Sequence, residues 1–413
     1  MGYNFYLGLY TLLAAIFALY GMVKYKTLLN PLSISIAIFS VSVIIALPFY
    51  HIVDTGTPIE YISYTVVISI VYLLFFSLAF FIRFALIDKL YYKFMVYFKL
   101  HGGERKKRYK STVFISFLLI FVLFFMMLMI QSGAGLLWIL DPRIAYMDYR
   151  SGSGHLYAAA RWILITAFIY YLWFKKPKST QAIFTTLAFS FLAYFFGSKG
   201  FILDFWIVFV FYQHYLVRPI KNITLILVGA SLIVLFLSLQ LIQGTAKDIS
   251  DTIAYFTYFD ATARFLSMFD QVGLQHGEAF ISHFWSMVPR DFFPSKPYVY
   301  GQYIIHETLN PGLLEKGRAT GTLIWTKYYL DFGVMGVAIV AFFSGTILKT
   351  FYHYFLLNKN NLYGFIIMAQ YGVIALYNYA TGIIFIIIIL LLSKWLRMRG
   401  TYNRRGMILE KQI

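Results

Sequence analysis

Thr112-Val-Phe-Ile-Ser-Phe-Leu-Leu-Ile-Phe-Val-Leu-Phe-Phe-Met-Met-Leu-Met-Ile130 runs nineteen residues without a charge. As a helix rising ~1.5 Å per residue it is just long enough to cross a hydrocarbon core about 30 Å thick. Similar runs flank it along the whole chain, at Tyr3 to Val23, Leu32 to Tyr50, Tyr61 to Ile82, Leu156 to Phe174, Gln181 to Phe196, Phe201 to Val217, Ile223 to Leu241, Tyr328 to Leu348, Tyr363 to Tyr379 and Ile383 to Trp395. The expectation is an all-α, polytopic helical bundle of about eleven transmembrane helices. The composition agrees: 60% of residues are hydrophobic and 13% charged, whereas a soluble domain carries about a quarter charged residues.

The formal charge of +18 would suit nucleic acid if it were spread evenly, but it is confined to alternate loops. Lys24 and Lys26, nine basic residues from Arg83 to Lys110, Lys175, Lys176 and Lys178, Arg218 and Lys221, Lys349 and Lys359, and six residues from Lys394 to Lys411 hold 24 of the 35 Lys plus Arg. Only Asp88, Glu104 and Glu410 oppose them there. Basic loops stay on the cytoplasmic side, so the N-terminus is expected outside and the C-terminus inside, and the charge reads as a topology signal near anionic lipid. No nucleic-acid partner is expected. The start lacks the basic region of a cleavable signal and reads as a signal anchor.

With no cysteine, disulfides, thiolate metal sites and a Cys nucleophile are excluded. No Gly-rich nucleotide fingerprint follows a strand and no His-Glu-x-x-His pattern occurs, so neither a cofactor nor a metal is expected. The absence of an internal repeat weighs against an inverted-repeat transporter.

The polar chemistry lies in the outward loops, above all in Gln243 to Thr326, a long segment rich in aromatic and charged residues. The organisation expected is eight membrane helices over 1–242, an outward-facing loop over 243–327, and helices nine to eleven with a basic tail over 328–413. Three constellations stand out. In Asp141-Pro-Arg143-Ile-Ala-Tyr-Met-Asp148-Tyr-Arg150-Ser-Gly-Ser-Gly-His155 the arginines run against the insertion bias, and their forked guanidinium suits phosphate oxygens. Pairing with Asp141 and Asp148 would give them a purely structural role instead. Gly197-Ser-Lys199-Gly200 is a tight turn where glycine permits close approach and a helix start attracts an anion. Its ordinary alternative is Lys199 neutralising Asp204.

The third constellation is the long loop itself. Ser250 or Asp251 can cap a helix whose stripe Ile253, Phe256, Phe259, Ala263 and Leu266 seeks an apolar surface. Asp260 and Arg264 share its opposite face, either as site residues or as a local ion pair. Three prolines in Val288-Pro-Arg290-Asp-Phe-Phe-Pro-Ser-Lys296-Pro297 stiffen the backbone around Arg290 and Lys296. His306, Glu307 and Glu315 are candidate proton acceptors, and Arg318 a further cation before the ninth span.

The order of these features resembles the O-antigen polymerase (Wzy) family and its enterobacterial common antigen relatives. The motifs are Gly-Ser-Lys-Gly at 197–200, Val-Pro-Arg-x-x-x-Pro-x-Lys-Pro at 288–297, His-Glu-Thr-Leu-Asn at 306–310, Ala-Thr-Gly-Thr-Leu at 319–323 and Asp331-Phe-Gly-Val-Met-Gly336. Family members carry arginine where Lys199 stands, which keeps the charge and loses the fork. The resemblance implies a bacterial inner-membrane, metal-independent glycosyltransferase. It would move a growing glycan from undecaprenyl pyrophosphate to the non-reducing end of a new lipid-linked repeat unit. Taken with the reading of the loops, the candidate pyrophosphate or substrate ligands are Arg143, Arg150, Lys199, Arg264, Arg290, Lys296 and Arg318, and the candidate base is Glu307, His306 or Asp260. The implied partners are undecaprenyl-pyrophosphate-linked oligosaccharide, membrane lipid and a Wzz-type chain-length co-polymerase. O-antigen ligase and, in another class, a lipid-linked oligosaccharide flippase remain the alternatives.

Overall fold

The computed structural model of the protein describes residues 3–45, 56–82, 89, 111–150, 152–242, 258–282, 285, 293, 295, 300–312, 321–357 and 365. Every regular element among them is helical. The chain is an all-α polytopic membrane protein, and seven of the described helical stretches are long and apolar enough to cross a membrane. Of the eleven expected spans, those at 363–379, apart from Phe365, and at 383–395 lie outside the described residues.

In chain order α1 is Tyr3–Tyr25, α2 Pro31–Ser40, α3 Ile59–Phe81 and α4 Ser111–Gln131, the quoted run. Two short helices follow, α5 Leu137–Leu140 and α6 Pro142–Asp148, then α7 Gly154–Lys175, α8 Ser179–Tyr194, α9 Lys199–Tyr212 and α10 Asn222–Ile242. The outer segment holds α11 Tyr258–Ser267, α12 Phe269–Val272, α13 Glu278–Ser282 and α14 Tyr300–Leu309, and α15 is Thr326–Leu357. The expected second span begins with Asn30 capping Ser33 N–H and Pro31 in the first turn, which suits a helix start. It loosens into a π-helical turn at Val41–Ile45. The sixth span is the sixteen-residue α8.

The bundle has two packed halves. One core gathers α1, α2, α3, α11 and the first part of α15 around Phe76, Tyr72 and Trp325. The other gathers α4 and α7 to α9 around Trp173, Phe168 and Phe205. Their aromatic rings meet mostly in tilted and edge-to-face pairs, such as Phe168 with Phe205 at 5.1 Å, the favoured geometry for quadrupolar rings. The far end of α15 bridges the halves, because Tyr352 and Phe355 belong to the second core and the Tyr215 and Tyr352 hydroxyls meet at 2.9 Å.

At that same end, the last carbonyls of α3 accept from two lysines on different helices. Lys24 Nζ of α1 donates to Phe80 O at 2.7 Å, and Lys349 Nζ of α15 donates to Ala79 O at 2.7 Å. Positive side chains suit the negative end of a helix. Close packing of α15 on α3 depends on Gly345, where a Cβ would overlap the Phe76 carbonyl and come within 2.9 Å of Ala79 Cβ.

Candidate functional site

The chain direction places the starts of α3, α7, α9 and α15 at the opposite end from Tyr215 and Tyr352, and the polar groups singled out by sequence collect there in two clusters. The first is built on α6. Asp141 caps this helix by accepting from Ile144 N–H at 3.1 Å, and Pro142 fixes its first turn. The Pro142 carbonyl then abuts Gly197, which adopts φ +61°; a Cβ there would overlap that carbonyl and stand 2.7 Å from Tyr146 Cβ. Only glycine fits a left-handed position under such contact.

This close approach brings four cations together. Arg143 Nη1 donates to Gly197 O at 3.3 Å. Lys199, 4% exposed, follows two residues later and feels the Arg143 charge. Arg150 Nη1 donates to the Tyr146 hydroxyl at 2.8 Å while its guanidinium lies 4.3 Å from the Tyr146 ring centre. The Tyr157 ring packs 5.6 Å away from that ring. Arg161 completes the group, paired with Asp204 at 2.5 Å and lying over the Phe201 ring.

Two ordinary readings of the sequence are therefore replaced. Asp141 serves as a helix cap, and Arg143 and Arg150 donate to a carbonyl and a phenol instead of pairing with Asp141 and Asp148. Asp204 is held by Arg161 from a neighbouring helix, not by Lys199 on its own. Arg161 is not among the site candidates that the sequence reading offers. A lone arginine and a lone aspartate in two apolar spans are the signal that pairs them, since charges within a membrane seek each other. Within the group the positive charge exceeds the negative, so it can receive an anion, with Tyr146 and Tyr157 offering flat faces beside it.

The second cluster lies on the first half of the bundle. The stripe expected on the outer helix is found in α11: Phe259, Ala263 and Leu266 are buried against the α3 core. Ile253 and Phe256 lie outside the described residues. On the other face, Asp260 Oδ1 accepts from Thr57 Oγ1 at 3.4 Å. Arg264 Nη2 donates to Leu309 O at 2.8 Å, tying α11 to the end of α14. Glu307 Oε2 accepts from Gly312 N–H at 3.1 Å. His306 is 2% exposed, and burial lowers its pKa below the ordinary value against the smaller opposing pull of Glu307; it is a neutral imidazole near pH 7. Arg290, Lys296, Glu315 and Arg318 lie outside the described residues.

Around this cluster the motif segments are fixed in place. A Cβ on Gly321 would overlap the Tyr258 ring, Thr262 Oγ1 accepts from Leu323 N–H at 2.9 Å, and Trp325 Nε1 donates to Ser69 Oγ at 3.2 Å. Asp331, 1% exposed, accepts from the N–H groups of Gly277, Ala279 and Phe280 at 3.2, 2.9 and 2.7 Å. The helix is broken just beyond it, at Phe332 and Gly333. The Asp-Phe-Gly motif thus anchors the outer segment to α15, a role that spacing in sequence did not reveal.

Among the described residues no group of three or more His, Asp or Glu side chains is arranged to hold a metal ion. No family model matches the chain, and no solved structure matches it. Two curated relatives do: the O-antigen polymerases of Salmonella typhimurium strain LT2 and of Salmonella typhi, each 24% identical over 256 residues. The chain is related to the O-antigen polymerases. The match covers 60% of the chain and spans 61% of the length of these relatives. The family resemblance drawn from the motifs is therefore borne out as a relationship.

Proposed function

We propose that the chain is an inner-membrane polymerase of lipid-linked oligosaccharide repeat units, with its working face at the end that holds Lys199 and His306. The observation that carries this reading is the gathering of Arg143, Arg150, Arg161 and Lys199 around Tyr146 and Tyr157. Fixed cations that need no reorganisation stabilise the charge developing on a departing pyrophosphate, and tyrosine faces suit sugar rings. The relationship to the O-antigen polymerases supports the same reading.

In this reaction the acceptor hydroxyl oxygen bonds to the anomeric carbon of the donor sugar. The bond from that carbon to the pyrophosphate oxygen breaks, and undecaprenyl pyrophosphate leaves with the electron pair. The hydroxyl proton passes to a base, for which Glu307, held by Gly312 N–H, and the neutral imidazole of His306 are the leading candidates, with Asp260 third. Arg264, Arg290, Lys296 and Arg318 supply further positive charge from the outer segment, and a Wzz-type co-polymerase sets chain length.

Purified protein given only undecaprenyl-pyrophosphate-linked repeat units is expected to lengthen them and release undecaprenyl pyrophosphate, without nucleotide sugar and in the presence of EDTA. Transfer that needs a lipid A core acceptor and leaves chain length unchanged would make it a ligase. Movement of the lipid across the bilayer with no new glycosidic bond would make it a flippase and end the enzyme reading.

A further inference from the structure

At the opposite end of the bundle, where the two halves meet, a cavity of about 300 Å³ opens between the turn after α1 and the turn after α9. Its walls include Lys26, Thr27, Tyr25, Arg218, Tyr215 and Tyr352, and none of the described residues lining it is acidic. Volumes near this size hold small ligands.

Both walls are fixed before any ligand arrives. Lys26 sits in the left-handed conformation at φ +58°, and the turn beyond it is held by Asn30 Nδ2 donating to Thr27 O at 2.7 Å and by Leu28 N–H donating to Asn222 Oδ1 at 2.9 Å. Across the cavity, Arg218 N–H donates to Gln213 O at 2.8 Å and Ile220 N–H to His214 Nδ1 at 3.0 Å. Tyr215 joins the walls: its hydroxyl donates to Leu29 O and so accepts from Tyr352. Lys26 and Arg218 keep exposed side chains at the mouth, while the neighbouring Lys24 is engaged with the end of α3.

We propose that this cavity binds a net-anionic phosphate group at the membrane surface, the head group of an anionic phospholipid or free phosphate, with Lys26 and Arg218 as its ligands. Basic pockets between transmembrane helices at a membrane surface take such head groups, and an arginine fork with a lysine point charge matches phosphate oxygens. The tyrosines form the floor and supply an apolar wall for the glycerol and the first methylenes of the acyl chains. Occupation would clamp the two halves of the bundle at the end where α15 crosses between them. The site is separate from the proposed polymerase face and does not rest on it.

The test uses the full chain in nanodiscs of phosphatidylethanolamine alone or doped with phosphatidylglycerol. Native mass spectrometry counts retained lipid and thermal unfolding reports the clamp. Phosphatidylglycerol is expected to be retained preferentially and to raise the unfolding temperature. Lys26→Gln/Arg218→Gln is expected to weaken that retention about thirtyfold while unfolding like the wild type in phosphatidylethanolamine alone. Inorganic phosphate that displaces the lipid and gives the same stabilisation would identify the soluble anion as occupant and keep the site. Equal retention of both lipids by the wild type and the double variant, with phosphate inert, would overturn the proposal. Because both exposed side chains lie at the mouth, a second variant, Leu356→Trp, fills the cavity from its apolar side. It must also abolish the selectivity, and selectivity that survives there would place the lipid elsewhere.

Discussion

Gly197 and Gly200 stand three residues apart in one turn, yet the structure assigns them opposite tolerances. At Gly197 the backbone has φ +61°, and a Cβ would overlap the Pro142 carbonyl and press on Tyr146. A left-handed conformation costs an ordinary residue about 1–2 kcal/mol, and overpacking against backbone costs about 1–3 kcal/mol more. Gly197→Ala is therefore expected to destabilise the protein by about 2–5 kcal/mol, or to push α6 away and pull Arg143 off the Gly197 carbonyl. Displacing one oriented donor lowers turnover about 10²–10³-fold. At Gly200, inside α9, an added Cβ would meet no other part of the structure within 4 Å, so Gly200→Ala is expected to be neutral or to stabilise by up to about 1 kcal/mol through lower chain entropy. Thermal unfolding of the detergent-solubilised variants, read beside the length distribution of the polysaccharide they support, checks both. Equal behaviour of the two alanines, in stability and in polymer, would refute the argument that α6 is seated on this turn.

Other expectations follow from the same geometry. Asp204→Ala leaves the Arg161 charge without its partner within the bilayer; loss of one member of a buried pair costs about 3–5 kcal/mol, reduced here because the Arg161 side chain is 33% exposed. Arg161→Met/Asp204→Leu should regain most of that stability without regaining polymer synthesis, and a stable Asp204→Ala protein would show the pair to be dispensable. Burial lowers the His306 pKa below 6.5, so the unfolded chain takes up the proton first as pH falls. Stability is full above pH 6.5 and declines as pH drops through the lower folded value. His306→Gln should flatten this part of the unfolding profile between about pH 7.5 and 5, and an unchanged profile would assign the slope elsewhere. In spheroplasts, Asp148→Cys should react with an impermeant thiol reagent and Lys221→Cys only after permeabilisation; the reverse pattern would invert the topology and move the proposed polymerase face inward.

Much of the architecture is legible in hydropathy because a membrane imposes a length as well as a polarity. The runs expected at 3–23, 61–82, 112–130, 156–174 and 223–241 match α1, α3, α4, α7 and α10 to within a few residues. The inward stripe of α11 is likewise readable, since Phe259, Ala263 and Leu266 return at helical spacing. Partnerships are not readable in the same way. Arg161 and Asp204 are 43 residues apart, and the local rule that offers Lys199 to Asp204 cannot see a neighbouring helix. Asp331 lies 51 to 54 residues from the N–H groups it binds, so its part in anchoring the outer segment appears only once α15 is folded against that segment. For the candidate site, sequence supplied the chemical types and the fold supplied their grouping. Arg143, Arg150 and Lys199 converge because a glycine lets one turn press against a short helix.

The two lysines that end on α3 have a mechanical consequence. With Lys24 and Lys349 bound to the last carbonyls of the same helix, α1, α3 and α15 are tied to one another at one level near this end of the bundle. A bilayer thinner or thicker than the bundle cannot be met by sliding one of these helices past another. The mismatch is taken up by tilt or at the opposite rim, so lipid thickness becomes a variable that acts on the cation cluster from a distance, and chain elongation in reconstituted membranes should depend on acyl length.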